Sequence, residues 1–300
     1  MRILNQHGSM GFLDLFIIML VVGGLMYGGA RVAQNTAETK AKQPITKTVQ
    51  QPPVAANTKI TWEFDEEQSV WVAKGGTAPA CSTPLLKQSP VDPGLATSVL
   101  YPGQYRGNNY KAHGGLAFDN LKATDVMVRA PMDADMTGLV RYIEKGEIQY
   151  LMTFTNSCGV SYRFDHVYAL PPKLQAVADK LPAPKIDDTG GLPLSTPVPV
   201  KAGEIIATAV GHPKTNNIAV DFGVYDLRTP NDISKNATWA ALHTQYRAQD
   251  FYGRCWLEML PSTDSARVKK LPARDQKSGA ISDYCSTAAG NTLSVNGGRP

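Results

Sequence analysis

From Leu15 to Ala30 the chain reads LFIIMLVVGGLMYGGA, without one charge, between Asp14 and Arg31. Extended to Phe12 and Ala33, the stretch holds about 22 residues, enough for a tilted helix across a hydrocarbon core roughly 30 Å thick. It shows no polar face at helical spacing, which a helix on the surface of a soluble core would carry. Arg2 and the small residues Gly28-Gly29-Ala30 also suit a cleavable signal, but the length of the apolar run favours a retained anchor. Residues 1–33 are therefore expected to form an N-terminal transmembrane anchor. Arg2 precedes the run while Arg31, Lys40 and Lys42 follow it, so flanking charge does not orient it. The cysteines do. Cys81, Cys158, Cys255 and Cys285 all lie beyond the run, with no C-x-x-C pair among them. An even number so placed fits two disulfides in an oxidising compartment, with the C-terminal domain outside the cytoplasm, in the cell envelope.

Beyond the anchor, residues 34–58 are rich in Gln, Thr, Ala, Lys and Pro, and bury too little to fold, so they read as a flexible linker. Order is expected from Ile60, where ITWEF and SVWVA alternate around the turn Asp65-Glu66-Glu67. Residues 59–100 form an extension to the domain that follows. Within 101–227 the β-branched and aromatic runs Val126–Pro131, Thr137–Ile143, Glu147–Phe154, Val160–Leu170, Val200–Gly211 and Asn217–Leu227 predict strands separated by turn residues. Only Lys173–Leu181 and Thr238–Gln249 look helical, and the Pro/Gly/Asp-rich stretch 182–199 reads as a loop. The fold class is thus mostly β, an antiparallel sheet or sandwich. A smaller unit, 228–286, carries Cys255 and Cys285. Their bridge is the natural pairing and leaves Cys81 for Cys158, although two other connectivities stay open. Residues 287–300 are small and polar and read as a disordered tail. The net charge of +4 is spread without a basic run or aromatic stripe, so nothing points to nucleic acid and none is expected as a partner.

Five segments in order carry a resemblance: YRGNNYKAHGGLAFD (Tyr105–Asp119), VRAPMDADMTGLV, CGVSYRFDHVYAL, VPVKAGEIIATAVG and NIAVDFGVYD. From about Tyr101 to Asp226 the succession resembles the lysostaphin-like (LytM-type) zinc endopeptidases, which cut peptide cross-links of bacterial peptidoglycan. The resemblance implies a duplicated-hybrid-motif fold. In that family the metal is held by the His and Asp of an H-x-G-x-D motif and by the second His of H-x-H. A further His on a Y-x-H-L strand and the first His of H-x-H assist catalysis. On these positions His113 matches the first ligand and His166 the Y-x-H-L histidine. The family's Asp is Ala117 here, with Asp119 two residues on, about 6.6 Å further along a strand. That shift is large against a zinc–oxygen bond of about 2 Å. H-x-H is replaced by Ala219-Val220-Asp221, and Asp221 falls where the second His belongs.

Three functions follow as expectations. The first is a non-catalytic descendant that binds or scaffolds the cell wall, with no cofactor. Its groove would be lined by Tyr105, Arg106, Asn109 and Tyr110 together with His113 and Asp119. The alternative is an active metal-dependent peptidoglycan endopeptidase, with His113, Asp119 and Asp221 as ligands to zinc or another divalent ion and His166 handling the proton. A third is a structural subunit of a pilus or secretion complex, suggested faintly by the GFLDLFIIML start. The partners in these readings are the membrane, peptidoglycan and envelope proteins. His7, His212 and His243 match no motif and read as surface or structural residues.

Overall fold

The computed structural model describes residues 59–191 and 193–286. The expected anchor, linker and tail lie outside the described residues. Among the described residues no helix is long and apolar enough to cross a membrane.

The chain opens with an antiparallel hairpin, β1 (Thr61–Asp65) and β2 (Val70–Lys74), on the two alternating runs around the acidic turn. It continues with β3 (Ser98–Leu100), β4 (Gln104–Arg106), β5 (Asn109–Lys111), β6 (Gly114–Ala117), β7 (Val128–Arg129), β8 (Ala134–Glu144), β9 (Glu147–Thr155) and β10 (Val160–Ala169). Then come β11 (Pro193–Val200), β12 (Ile205–Ala207), β13 (Ala209–Val210) and β14 (Ala219–Asp226). The helices are short: α1 (Pro172–Ala178), α2 (Ala237–Leu242), α3 (Arg247–Asp250), α4 (Trp256–Met259) and α5 (Ser262–Val268). The central sheet has eight strands in the order β11-β8-β9-β10-β14-β6-β3, with β13 also on β10. Its neighbouring strands pair antiparallel. The protein is mostly β, as the alternating runs require.

Alternation gives this sheet two unlike faces. Tyr162 and Phe164 of β10, with Val220, Phe222 and Val224 of β14, are buried on one face. There Phe154 stacks on Tyr162 at 4.8 Å between centroids, Phe164 on Phe222 at 4.9 Å, and Trp256 meets Phe222 edge-on at 5.3 Å. Each such fully buried side chain contributes about 1.5–3 kcal/mol. Trp256 and Leu257 of α4 and Val268 of α5 belong to this same core, so the segment after β14 packs on the sheet. The disulfides Cys81–Cys158 and Cys255–Cys285 close 77 and 30 residues.

Three local expectations are corrected. The stretch 182–199 is not all loop, because its end forms the edge strand β11, paired only with β8. Pro193, Pro197 and Pro199 lack a donor, which an edge strand tolerates and a central one does not. The register breaks between Pro193 and Val198. The helical run Thr238–Gln249 divides into α2 and α3, because the backbone at His243 leaves helical geometry. Val126–Pro131 keeps only the two residues of β7.

Candidate functional site

The other face of the sheet is the wall of a cleft of about 1130 Å³, whose lining includes His113, Tyr142, Glu144, Arg163, His166 and Asp221. Strand parity puts Ser161, Arg163 and Asp165 of β10 on this face, with Asp221 of β14. The register sets Asp221 directly opposite Asp165 on one side and Gly115 of β6 on the other. Two carboxylates so placed repel. The repulsion is offset locally, since Arg163 Nη2 donates to Asp165 Oδ2 at 2.8 Å and the Tyr142 hydroxyl to Asp165 Oδ1 at 2.6 Å.

His113 stands just before β6, and its Nε2 lies 3.0 Å from Asp221 Oδ2. Two features seat the pair. Arg106 Nη2 donates to the His113 carbonyl at 2.9 Å. Gly115 lets the strands close, because a Cβ there would stand 2.6 Å from the Val220 carbonyl and 3.0 Å from Asp221 Oδ1. Burial first, and then the Arg163 charge, lower the His113 pKa to about 4, so the ring is neutral. Burial opposes ionisation of Asp221, yet the Nε2–H of His113 and the charges of His166 and Arg106 hold it well below the usual carboxylate range. The pair is therefore a neutral imidazole donating Nε2–H to a carboxylate.

His166 reaches the cleft by a different route. By parity it belongs with Tyr162 and Phe164 on the core face. A bulge between Phe164 and Val167, where β10 shifts register on β9, turns it outward. His166 takes φ 57°, a left-handed conformation uncommon for residues other than glycine. Asp165 supports the bulge by accepting the His166 backbone N–H at 2.9 Å. The ring then has Asp221 Oδ2 at 3.6 Å from Nε2 and Glu144 Oε2 at 3.3 Å from Nδ1. Burial disfavours its charge, but Asp221, Glu144 and Asp165 outweigh it and push the pKa up to about 9.

The structure thus brings His113, His166 and Asp221 into one cleft, and leaves Asp119 out. Beyond the end of β6, Asp119 accepts from Thr97 Oγ1 at 2.7 Å and Arg274 Nη1 at 3.1 Å. The zinc that the resemblance implies does not fit the family's positions. Ala117 and Ala219 offer no donor atom, Asp119 is engaged elsewhere, and the His113 nitrogen already serves Asp221 beside the cationic Arg163. Of the expected groove residues, Asn109 and Tyr110 line the cleft. Tyr110 donates to Asp283 Oδ2 at 3.0 Å, and Tyr105 meets the Tyr110 ring at 5.3 Å between centroids. Arg106 is a positioning residue, spanning the carbonyls of Tyr101 and His113.

The sequence did not single out Glu144, and His212 read there as a surface or structural residue. Among the described residues, Glu144, His166 and His212 are the group of three metal-ligating side chains whose ligand atoms all lie within 4.8 Å of one another. Glu144-Lys145-Gly146-Glu147 was legible only as a turn, and nothing in sequence ties it to His212. His243 does have a structural place, buried and stacked on Trp239 at 4.0 Å, with Nδ1 3.3 Å from Asp250 Oδ2. Compared with known proteins, the chain matches no family model, and no curated protein matches it.

Proposed function

We propose that the chain is a membrane-anchored, extracytoplasmic binding module. Its β domain is a lysostaphin-like, duplicated-hybrid-motif fold that lacks the family's catalytic centre, and its cleft holds peptidoglycan or a protein of the envelope. The observation that carries this reading is the direct contact of His113 with Asp221 beside an open cleft, in place of a three-ligand site. The two disulfides support an oxidising compartment. The uncharged run Leu15–Ala30 supports the anchor. The cleft combines the aromatic residues Trp62, Trp71 and Tyr110 with Asn109, Thr137 and Ser161, a lining suited to a peptide rich in amides.

Co-sedimentation of the detergent-solubilised full chain with purified peptidoglycan sacculi tests the reading. The wild type is expected to sediment with the sacculi and release no soluble fragments. Thr137→Trp, which fills the cleft, and the double variant His113→Ala/Asp221→Ala are expected to stay in solution. Binding unchanged in both variants would sink the cleft assignment. Release of soluble fragments that disappears with His113→Ala would make the domain an enzyme. Co-purification of a fixed set of envelope proteins, without wall binding, would favour a subunit of an envelope complex.

A further inference from the structure

We infer that Glu144, His166 and His212 form a divalent-metal site suited to zinc, distinct from the three ligand positions that the peptidase resemblance points to and sharing with it only His166. The inference does not depend on what the cleft binds. His166 Nδ1 and His212 Nε2 are 3.2 Å apart, and Glu144 Oε2 lies 3.3 Å from the first and 3.8 Å from the second. Zinc binds imidazole nitrogen and carboxylate oxygen at about 2.0–2.2 Å, so the ligand atoms of a tetrahedral site stand about 3.3–3.6 Å apart. The three atoms are already near that spacing. Two imidazoles with one carboxylate suit zinc, where an all-oxygen set would favour magnesium or calcium.

The groups behind the rings point the same way. Metal-bound imidazoles commonly hand their other nitrogen to a carboxylate, which fixes the tautomer and makes the ligand more basic. His212 Nδ1 has Glu147 Oε2 at 3.6 Å, and His166 Nε2 has Asp221 Oδ2 at 3.6 Å. His212 and Glu147 are 1% and 5% exposed, and His212 Nδ1 and Glu147 Oε2 find no hydrogen-bond partner within normal distance. A buried carboxylate beside a buried imidazole, neither fully satisfied, is costly without an ion to draw them together.

The fold delivers each ligand through a special backbone point. Lys145 (φ 51°) and Gly146 (φ 74°) make the tight β8–β9 turn, with Glu144 and Glu147 facing each other across it. His166 sits in the bulge of β10, and Gly211 (φ 82°) turns the chain into His212. These segments are cross-bonded: Gly211 N–H donates to the His166 carbonyl at 2.7 Å, and Gln149 Nε2 donates to the Gly211 carbonyl at 3.0 Å. Glu144 and His166 line the cleft, while His212 is buried.

The test is a titration of the chelator-treated full chain with zinc alone, in competition with a chromophoric chelator. The wild type is expected to take up about one zinc per chain. Glu144→Gln and His212→Ala are expected to lose at least tenfold in affinity, and Glu147→Gln about 10–100-fold. His113→Ala is expected to bind as the wild type does. Glu144→Gln preserves shape at a half-buried position, so it carries the test if His212→Ala does not fold, as checked by near-UV circular dichroism. No zinc uptake by the wild type would overturn the inference. So would Glu144→Gln binding as tightly as the wild type, or His113→Ala losing zinc as strongly as Glu144→Gln.

Discussion

His113 Nε2 lies 3.0 Å from Asp221 Oδ2, and under the proposed resemblance these two residues would be metal ligands. Here they bond each other. A neutral imidazole donates its Nε2–H to a largely buried carboxylate, and the partner positions at Ala117 and Ala219 carry only methyl groups. The pair is a structural element of the cleft wall, and its consequences are measurable.

The first is a dependence of stability on pH. In the folded chain the His113 pKa is about 4 against an ordinary value of 6.5. As pH falls below 6.5 the unfolded chain takes up the proton first, which favours unfolding. The contribution is therefore complete above pH 6.5 and is lost as pH falls toward 4, by an amount on the order of 3 kcal/mol. Urea midpoints measured across this window should fall with acid in the wild type and fall less steeply in His113→Gln. Equal slopes would remove His113 from the account.

Asp221 and His113 should differ in what their loss costs. Asp221→Ala takes one carboxylate from His166 and Arg163, which keep Glu144 and Asp165, and is expected to destabilise by about 1–3 kcal/mol. His113→Ala removes a neutral ring and leaves the carboxylate with His166 and the two arginines, so it should cost less. Equilibrium unfolding of both variants at neutral pH gives the order. The reverse order would argue against the charge assignment.

His166 occupies a backbone conformation that favours glycine. His166→Ala keeps the left-handed strain, whereas His166→Gly releases it, so the glycine variant should be the more stable by about 1–2 kcal/mol. The same urea titration resolves a difference of that size. No difference would mean that the bulge has been rebuilt.

The disulfides should contribute unequally. In the chain-entropy account, closing 77 residues stabilises by about 4.5 kcal/mol and closing 30 by about 3.6 kcal/mol. Cys81→Ala/Cys158→Ala is thus expected to melt below Cys255→Ala/Cys285→Ala. Calorimetry under non-reducing conditions compares them.

Much of the sheet was legible because its strands alternate or are dense in β-branched and aromatic residues. β9, β10 and β14 fall on the runs Glu147–Phe154, Val160–Leu170 and Asn217–Leu227. β11 was not, because prolines that signal a loop are also compatible with a sheet edge. The helices α4 and α5 are too short to show a period. In the cleft, His113, His166 and Asp221 were found through motif order, since periodicity alone puts His166 on the wrong face. Only the bulge explains its outward turn, and a bulge leaves no sequence mark. Glu144 and His212 were missed because they are 68 positions apart, and the turn and the glycine that bring them together act through the backbone.

The His113–Asp221 pair is closed, while the proposed metal site leaves His166 and His212 to respond to zinc. Side-chain nitrogen NMR of the full chain with labelled histidine, five rings in all, reports on this directly as zinc is added. His113 is expected to stay neutral, protonated at Nε2 and unmoved by zinc, while His166 and His212 shift together. A zinc-dependent shift at His113 Nε2, with His212 unmoved, would contradict the account and return the metal to the peptidase positions.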